Sequence, residues 1–159
     1  MTKKTSGTAW QLFAYPAFSE SLSALVRELA RLRAREAVNT RLHPKTKLLK
    51  RIIELIVKEI PRDPSAAEYA LGNTLGPAHR HWRRAKFLSR FRLFFRYNSN
   101  AAVIVYAWIN DENTLRKAGS GSDPYHVFAG MLRRGRPPDD WDALMKEARP
   151  LAPQKLDEE

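Results

Sequence analysis

The chain has 159 residues, no cysteine, and 28 Lys+Arg against 17 Asp+Glu, a formal net charge of +11. The length suits one domain, 1–159, with a sizeable core. The missing cysteines exclude disulfides, thiol nucleophiles and cysteine metal sites, and fit a reducing cytoplasm. The positive charge favours an anionic partner, whether nucleic acid, acidic protein or lipid surface. No run approaches the ~20 apolar residues that cross a bilayer, and no signal-peptide apolar region follows the two N-terminal lysines. A cytoplasmic protein without membrane attachment is therefore expected.

Residues 1–7 read as a polar, flexible start. Trp10–Tyr15 is short and aromatic-rich, an opening strand or packed extended segment that Pro16 ends. Ser19 or Ser21 can cap the next element. Leu22, Leu25, Val26, Leu29 and Leu32 give an amphipathic helix whose outer face carries Arg27, Arg31, Arg33 and Arg35. After a break at Asn39–His43, Pro44 opens a second helix to about Ile60, striped by Leu48, Leu49, Ile52, Ile53, Leu55 and Ile56. Ser65–His81 is mostly loop, punctuated by Gly72, Gly76 and Pro77.

Three strands follow, near 82–88, 91–97 and 102–109, joined by turns at Ser89-Arg90 and Asn98–Asn100. Such short turns make neighbouring strands antiparallel. Side chains alternate across a strand, so Phe91, Leu93, Phe95 and Tyr97 share one face while Arg92, Phe94 and Arg96 share the other. Ala85 and Phe87 oppose Arg84 and Lys86 in the same way. With the apolar sets on a common core, Arg84, Lys86, Arg92 and Arg96 project from the far side. The two long helices cover the Phe91/Leu93/Phe95 face, leaving a cationic face open or partly closed. A cationic face interleaved with aromatics suits a phosphodiester chain with stackable bases; equally, Lys and Arg are ordinary on a solvated sheet face.

Asn110–Asp123 is a polar loop containing Gly119 and Gly121. Asp123 and Pro124 start a third helix with Val127, Phe128, Met131 and Leu132 on its apolar side. Gly135–Pro138 is a break, Asp139–Ala148 a short last helix anchored by Trp141 and Leu144, and 149–159 a frayed tail. The fold class is α+β.

Several of these words resemble a known family. WQLFAYPAF (10–18), WRRAKF (82–87), FRLFFRY (91–97), WINDENTLR (108–116), DPYHVF (123–128) and MLRRGRPPDDWDAL (131–144) are similar to the YhaV toxins of bacterial type II toxin–antitoxin systems, a branch of the RelE-like ribonucleases. The resemblance implies a RelE-like fold: a small antiparallel sheet, two N-terminal helices packed on one face, and short C-terminal helices. It implies cleavage of messenger RNA, on or off the ribosome, that stops translation. It also implies restraint by a PrlF-class antitoxin, with which the toxin represses its own operator DNA.

The same resemblance implies a metal-free reaction in which the ribose 2′-hydroxyl attacks the adjacent phosphate. Arg84 and Lys86 match the family's phosphate-cradling pair, and Arg92 the arginine of the next strand. Lys86 is a clamp or a base. Arg116 matches the arginine after the last strand, and Tyr125 the C-terminal tyrosine. Arg83, Arg96, Trp108, Asn110 and Glu112 are candidate RNA contacts. Glu112 can accept a proton or orient an arginine. Trp108, placed on the side of Tyr106 by strict alternation, can stack a base or simply pack on a helix. His79 and His81, two residues apart, form half a metal site or an acid–base pair, but nothing completes a zinc set. His43 and His126 read as surface or capping residues. Glycine-rich phosphate cradles and serine nucleophile motifs are missing, so no cofactor or metal is expected. The competing readings are a non-catalytic RNA- or ribosome-binding module, and a partner protein whose charge serves an acidic antitoxin.

Overall fold

The computed structural model describes residues 9–35, 43–117 and 120–151. The expected polar start at 1–7, most of the 39–43 break, Gly119 and the tail from 152 onward lie outside them. Strand β1 (Gln11–Ala14) leads directly into helix α1 (Pro16–Arg35). Pro16 opens the helix as well as ending the strand, because its missing N–H falls among donors a first turn leaves unpaired. The Tyr15 carbonyl accepts from Ser19 N–H at 3.2 Å. Ser19 and Ser21, expected as caps, therefore lie inside α1; the Ser21 hydroxyl donates back to the Ala17 carbonyl.

Helix α2 (Pro44–Glu54) begins on His43, whose Nδ1 accepts from Lys45 N–H at 3.1 Å. It continues through a π-helical turn, Leu55–Glu59, and a last turn, Ile60–Arg62. The widening leaves one carbonyl facing a proline. In the π pattern Ile60 N–H bonds the Leu55 carbonyl, and the Ile56 carbonyl would need a donor from Pro61, which has none. The buried Tyr106 hydroxyl supplies it, donating to Ile56 O at 2.7 Å. Burial pushes that phenol well above its ordinary pKa, so it stays a donor.

Strands β2 (Arg83–Phe87), β3 (Phe91–Asn98) and β4 (Val103–Ile109) form the expected antiparallel meander. With a short last strand, β5 (Arg149–Pro150), the sheet order is β2-β3-β4-β1-β5. Its first strand corrects the expectation of a purely antiparallel sheet: β1 runs parallel to β4, Gln11 facing Val103 and Ala14 facing Tyr106. The long connection through α1 and α2 permits this, since parallel neighbours need an extended crossover. Residues Arg149–Pro150, expected within a frayed tail, form β5 against Phe13 and Ala14, and Leu151 N–H reaches the Leu12 carbonyl at 2.8 Å.

Both sheet faces are covered. On one, Leu93, Phe95, Ile104 and Tyr106 meet Phe18, Leu22, Leu25 and Leu29 of α1 and Leu49 and Ile52 of α2, as the amphipathic stripes predict. The opposite face, expected to be open or only partly closed, is not a cationic surface but is covered as well. Helices α3 (Pro124–Arg133) and α4 (Trp141–Glu147) seal it with a second core of Trp82, Phe94, Val105, Ala107, Phe128, Leu132 and Leu144. The reason lies in β4, which is apolar on both sides and must be buried on both. Phe94 and Phe128 stack at 4.3 Å between centroids and 8° between planes.

A β-bulge makes this packing possible. Phe94 pairs with Trp108 but Phe95 pairs with Tyr106, leaving Ala107 as the extra residue. The alternation therefore slips by one. Trp108 stacks on Phe94 and Phe128 in the second core, whereas Tyr106 lies in the first. Strict alternation would place them together.

Candidate active site at the Tyr125 hydroxyl

Helix α3 carries Tyr125 in its first turn, where Asp123 fixes it. Asp123 is 3 % exposed. Its Oδ1 accepts from Tyr125 N–H at 2.9 Å, the usual service of an N-cap carboxylate. Its Oδ2 pairs with Arg116, so one carboxylate holds both a tyrosine and an arginine. The Arg116 guanidinium lies over the Tyr125 ring, 4.8 Å from the centroid, an attractive cation–π placement.

The phenol oxygen receives two further cations. Arg84 Nε donates to it at 2.9 Å and Arg92 Nε at 3.0 Å. Both arginines are themselves anchored. Arg84 Nη1 donates to the Ala70 carbonyl at 2.6 Å. Arg92 is 7 % exposed, and its Nη1 donates to the Ser89 and Phe91 carbonyls at 3.1 and 2.9 Å. Among the described residues, Nη2 of Arg84 and of Arg92 takes no partner. Each guanidinium thus keeps a donor for an incoming anion while the rest is immobilised. Four residues singled out in the sequence, Arg84, Arg92, Arg116 and Tyr125, converge on one phenol.

A phenol oxygen has two lone pairs and one proton. With both lone pairs engaged by guanidinium N–H groups, its own proton remains the one bond it can donate. The arrangement is a preorganised cationic cluster around a single O–H donor. Lys86 is exposed, two residues along β2 from Arg84 and directly across from Arg92.

The remaining sequence candidates lie elsewhere. Arg83 alternates to the other face, donates to the Ser65 and Ala66 carbonyls, and lies 5.6 Å from the Tyr97 centroid. Arg96 sits between Trp82 and Trp141, 5.4 and 5.2 Å from their centroids, and donates to the Asp139 carbonyl at 2.7 Å. Burial lowers its pKa from the ordinary arginine value, against the pull of Asp139 and Asp140. Asn110 is buried; its side chain accepts from Arg92 N–H at 2.8 Å and donates to the Arg90 and Thr114 carbonyls. It thereby fastens the start of β3 and the 110–114 turn beside the site. Glu112 pairs with Lys45 across a cleft lined by Ser21, Leu25, Leu48 and Ile109, on the side of the N-terminal helices. That hydrogen bond, with the charges of Glu112 and Glu28, raises the Lys45 pKa against the effect of burial.

The histidine pair finds a partner that sequence reasoning missed. Asp139 accepts from Trp82 Nε1 at 2.8 Å and lies 2.8 Å from His81 Nε2. His79 Nδ1 is an ion-pair distance of 3.1 Å away, without hydrogen-bond alignment. Burial alone would raise the Asp139 carboxyl, but the bonds from Trp82 and His81 and the charges of His81 and His79 hold it below its ordinary value. Only its place just before a helix could have flagged Asp139. Among the described residues no group of His, Asp and Glu is disposed to hold a metal ion, and no helix is long and apolar enough to cross a membrane.

The family described as a toxin with endonuclease activity, of toxin–antitoxin systems, matches residues 12–149. The chain is 42% identical over 140 residues to the ribonuclease toxin YhaV of Escherichia coli strain K12, covering 87% of this chain and 91% of that protein. Toxin YhaV of Escherichia coli O157:H7 shows the same identity and coverage. No solved structure matches the fold. The matched span runs from Leu12 in β1 to the first residue of β5, with all four arginine and tyrosine positions of the site, and the chain belongs to the YhaV family of toxin–antitoxin endonucleases.

Proposed function

We propose that this chain is a metal-independent endoribonuclease that cleaves messenger RNA, with Tyr125 as general acid. One observation carries the reading: the Tyr125 hydroxyl accepts from both Arg84 and Arg92 while Arg116 covers its ring. A phosphate entering this cluster meets the unpaired Nη2 donors of Arg84 and Arg92. The 2′-oxygen attacks phosphorus and the P–O5′ bond breaks, giving a 2′,3′-cyclic phosphate and a 5′-hydroxyl. The departing 5′-oxygen takes the Tyr125 proton; neighbouring cations stabilise the phenolate left behind and the charge on the phosphorane. Lys86, exposed and directly across from Arg92, holds the phosphate backbone beside the cluster, and the 2′-hydroxyl proton passes to solvent water. Preorganised charge of this kind often supplies the largest share of a rate enhancement, and a positioned proton donor adds roughly 10²–10⁴-fold.

Membership of a toxin–antitoxin system carries an antitoxin with it. We infer a PrlF-class partner, joint repression of operator DNA, and action in the cytoplasm on messenger RNA, with the ribosome as a candidate platform. The test of the chemistry is incubation of purified protein with RNA in EDTA, followed by end-group analysis. Cleavage should persist and leave 2′,3′-cyclic phosphate or its 3′-phosphate hydrolysis product. A strict Mg²⁺ requirement or a 3′-hydroxyl product would overturn the mechanism. RNA binding without cleavage would favour the non-catalytic module.

A further inference from the structure

A hairpin tip lies beside the site. Phe87 and Phe91 form the last pair of β2 and β3, so the connection is Leu88–Ser89–Arg90. Leu88 has φ +43° and Ser89 φ +69°. Glycine and asparagine enter this region readily, whereas a bulky L side chain is disfavoured there. Leu88 is also 48% exposed, the large apolar side chain that the described residues leave in solvent. Neither packing nor turn chemistry accounts for leucine at this position. An exposed apolar side chain on an unfavourable backbone is the kind of local cost retained at functional sites.

The tip is wired to the active site. The Ser89 carbonyl accepts from Arg92 Nη1 at 3.1 Å, and Nε of the same guanidinium donates to the Tyr125 hydroxyl at 3.0 Å. Arg90 Nε donates to the Arg116 carbonyl at 3.1 Å, and Arg116 N–H returns to the Arg90 carbonyl at 3.0 Å. Lys86 and Arg90, both exposed, flank the tip. An apolar side chain between two cations, one guanidinium away from the reacting group, matches a substrate that is apolar on its base faces and anionic along its backbone.

Resting on the proposed RNA substrate, we propose that Leu88 is a base-contacting wedge. It packs on a nucleobase flanking the scissile bond while Lys86 and Arg90 hold adjacent phosphates. The strained turn presents the side chain outward from the site's edge.

The test compares wild type, Leu88→Asn/Ser89→Gly and Leu88→Met on one RNA oligonucleotide and on a series carrying single abasic nucleotides. In wild type, one flanking abasic position should raise KM about five- to ten-fold, the scale of losing one base contact. The double variant should show a similar rise on intact RNA and no further response to that abasic position. It should also melt at a higher temperature, because Asn and Gly suit the turn. Leu88→Met, still apolar, should restore the wild-type KM. A double variant with higher melting temperature and unchanged KM overturns the wedge, as does one that still responds fully to the abasic series. So does a loss confined to antitoxin affinity, which would make the tip a protein contact. Wild-type protein that cleaves no RNA would overturn the substrate reading itself, and is separated from the other outcomes by the first assay.

Discussion

Both faces of the sheet bury apolar residues, but they treat charge differently. Under α1 and α2 the core is mostly aliphatic, and a buried polar atom in it, the Tyr106 hydroxyl, is used to satisfy a helix carbonyl. Under α3 and α4 the core is an aromatic stack whose margin holds Arg92, Asp123 and the Tyr125 hydroxyl, joined to Arg84 and Arg116. One face is a foundation. The other places a cationic cluster at the edge of a dry aromatic core, where charge acts in a lower dielectric than water. The comparison separates residues whose loss lowers stability alone from residues whose loss lowers activity first.

The largest effect should follow Arg92→Ala. The alternation of β3 suggests that this side chain points away from the core and can be removed freely. Its burial and its bonds to Tyr125, Ser89 and Phe91 argue otherwise. We expect cleavage to fall about 10²–10³-fold or more and the melting temperature to drop as well, since the buried bond to Tyr125 and the bonds to the Ser89 and Phe91 carbonyls are lost. Arg84→Ala, on a half-buried side chain, should lose comparable activity with a smaller change in stability. Arg84→Lys should not rescue it, because lysine keeps the charge but not the fork that bonds Tyr125 and Ala70 together. Single-turnover cleavage beside a thermal melt checks all three variants.

The foundation face should give the reverse pattern. Phe18 is fully buried against Tyr106, with ring centroids 5.7 Å apart. Phe18→Ala should cost about 3–5 kcal/mol of stability and leave the cleavage rate per folded molecule unchanged below its transition. A lost rate with intact folding would break the distinction between the faces.

The smallest effect concerns Asp139, which ties the 79–82 loop to the start of α4. Its folded pKa is held below the ordinary carboxyl value, so its stabilising contribution is present above about pH 4 and is lost as pH falls through the lower folded value. Asp139→Ala should cost about 1 kcal/mol near neutrality, given its partial exposure. The gap between variant and wild-type melts should close as pH drops below about 4. A gap that persists in acid would mean Asp139 acts through packing alone.

Local periodicity made much of this legible. The stripes of α1 and α2, the three-strand meander and the Asp123-Pro124 helix start all follow from spacing and capping. What spacing does not carry is the third dimension. The Ala107 bulge needs the partner strand to define it, and it moved Trp108 to the opposite core. The parallel pairing of β1 and the short β5 depend on contacts more than 85 residues apart in sequence. Phe94, between two arginines, looked like one aromatic on a charged surface; only α3 reveals it as the centre of a stack. Arg84, Arg92, Arg116 and Tyr125 stand out singly in the sequence, but the meeting of two arginines at the Tyr125 hydroxyl and of the third over its ring is a tertiary fact. Asn110 and Glu112, equally polar and equally near a strand end, turn to a backbone staple and to Lys45 instead.

The Tyr125 proton is the centre of the proposed chemistry, and Tyr125→Phe isolates it. The ring stays, with its place over Arg116 and its helix cap; only the oxygen between Arg84 and Arg92 is removed. Single-turnover cleavage of a short RNA should slow by about 10²-fold or more, while the protein stays folded and binds RNA with little change. A variant that cleaves at the wild-type rate would contradict the assignment of Tyr125 as the acid and reduce the cluster to a binding site.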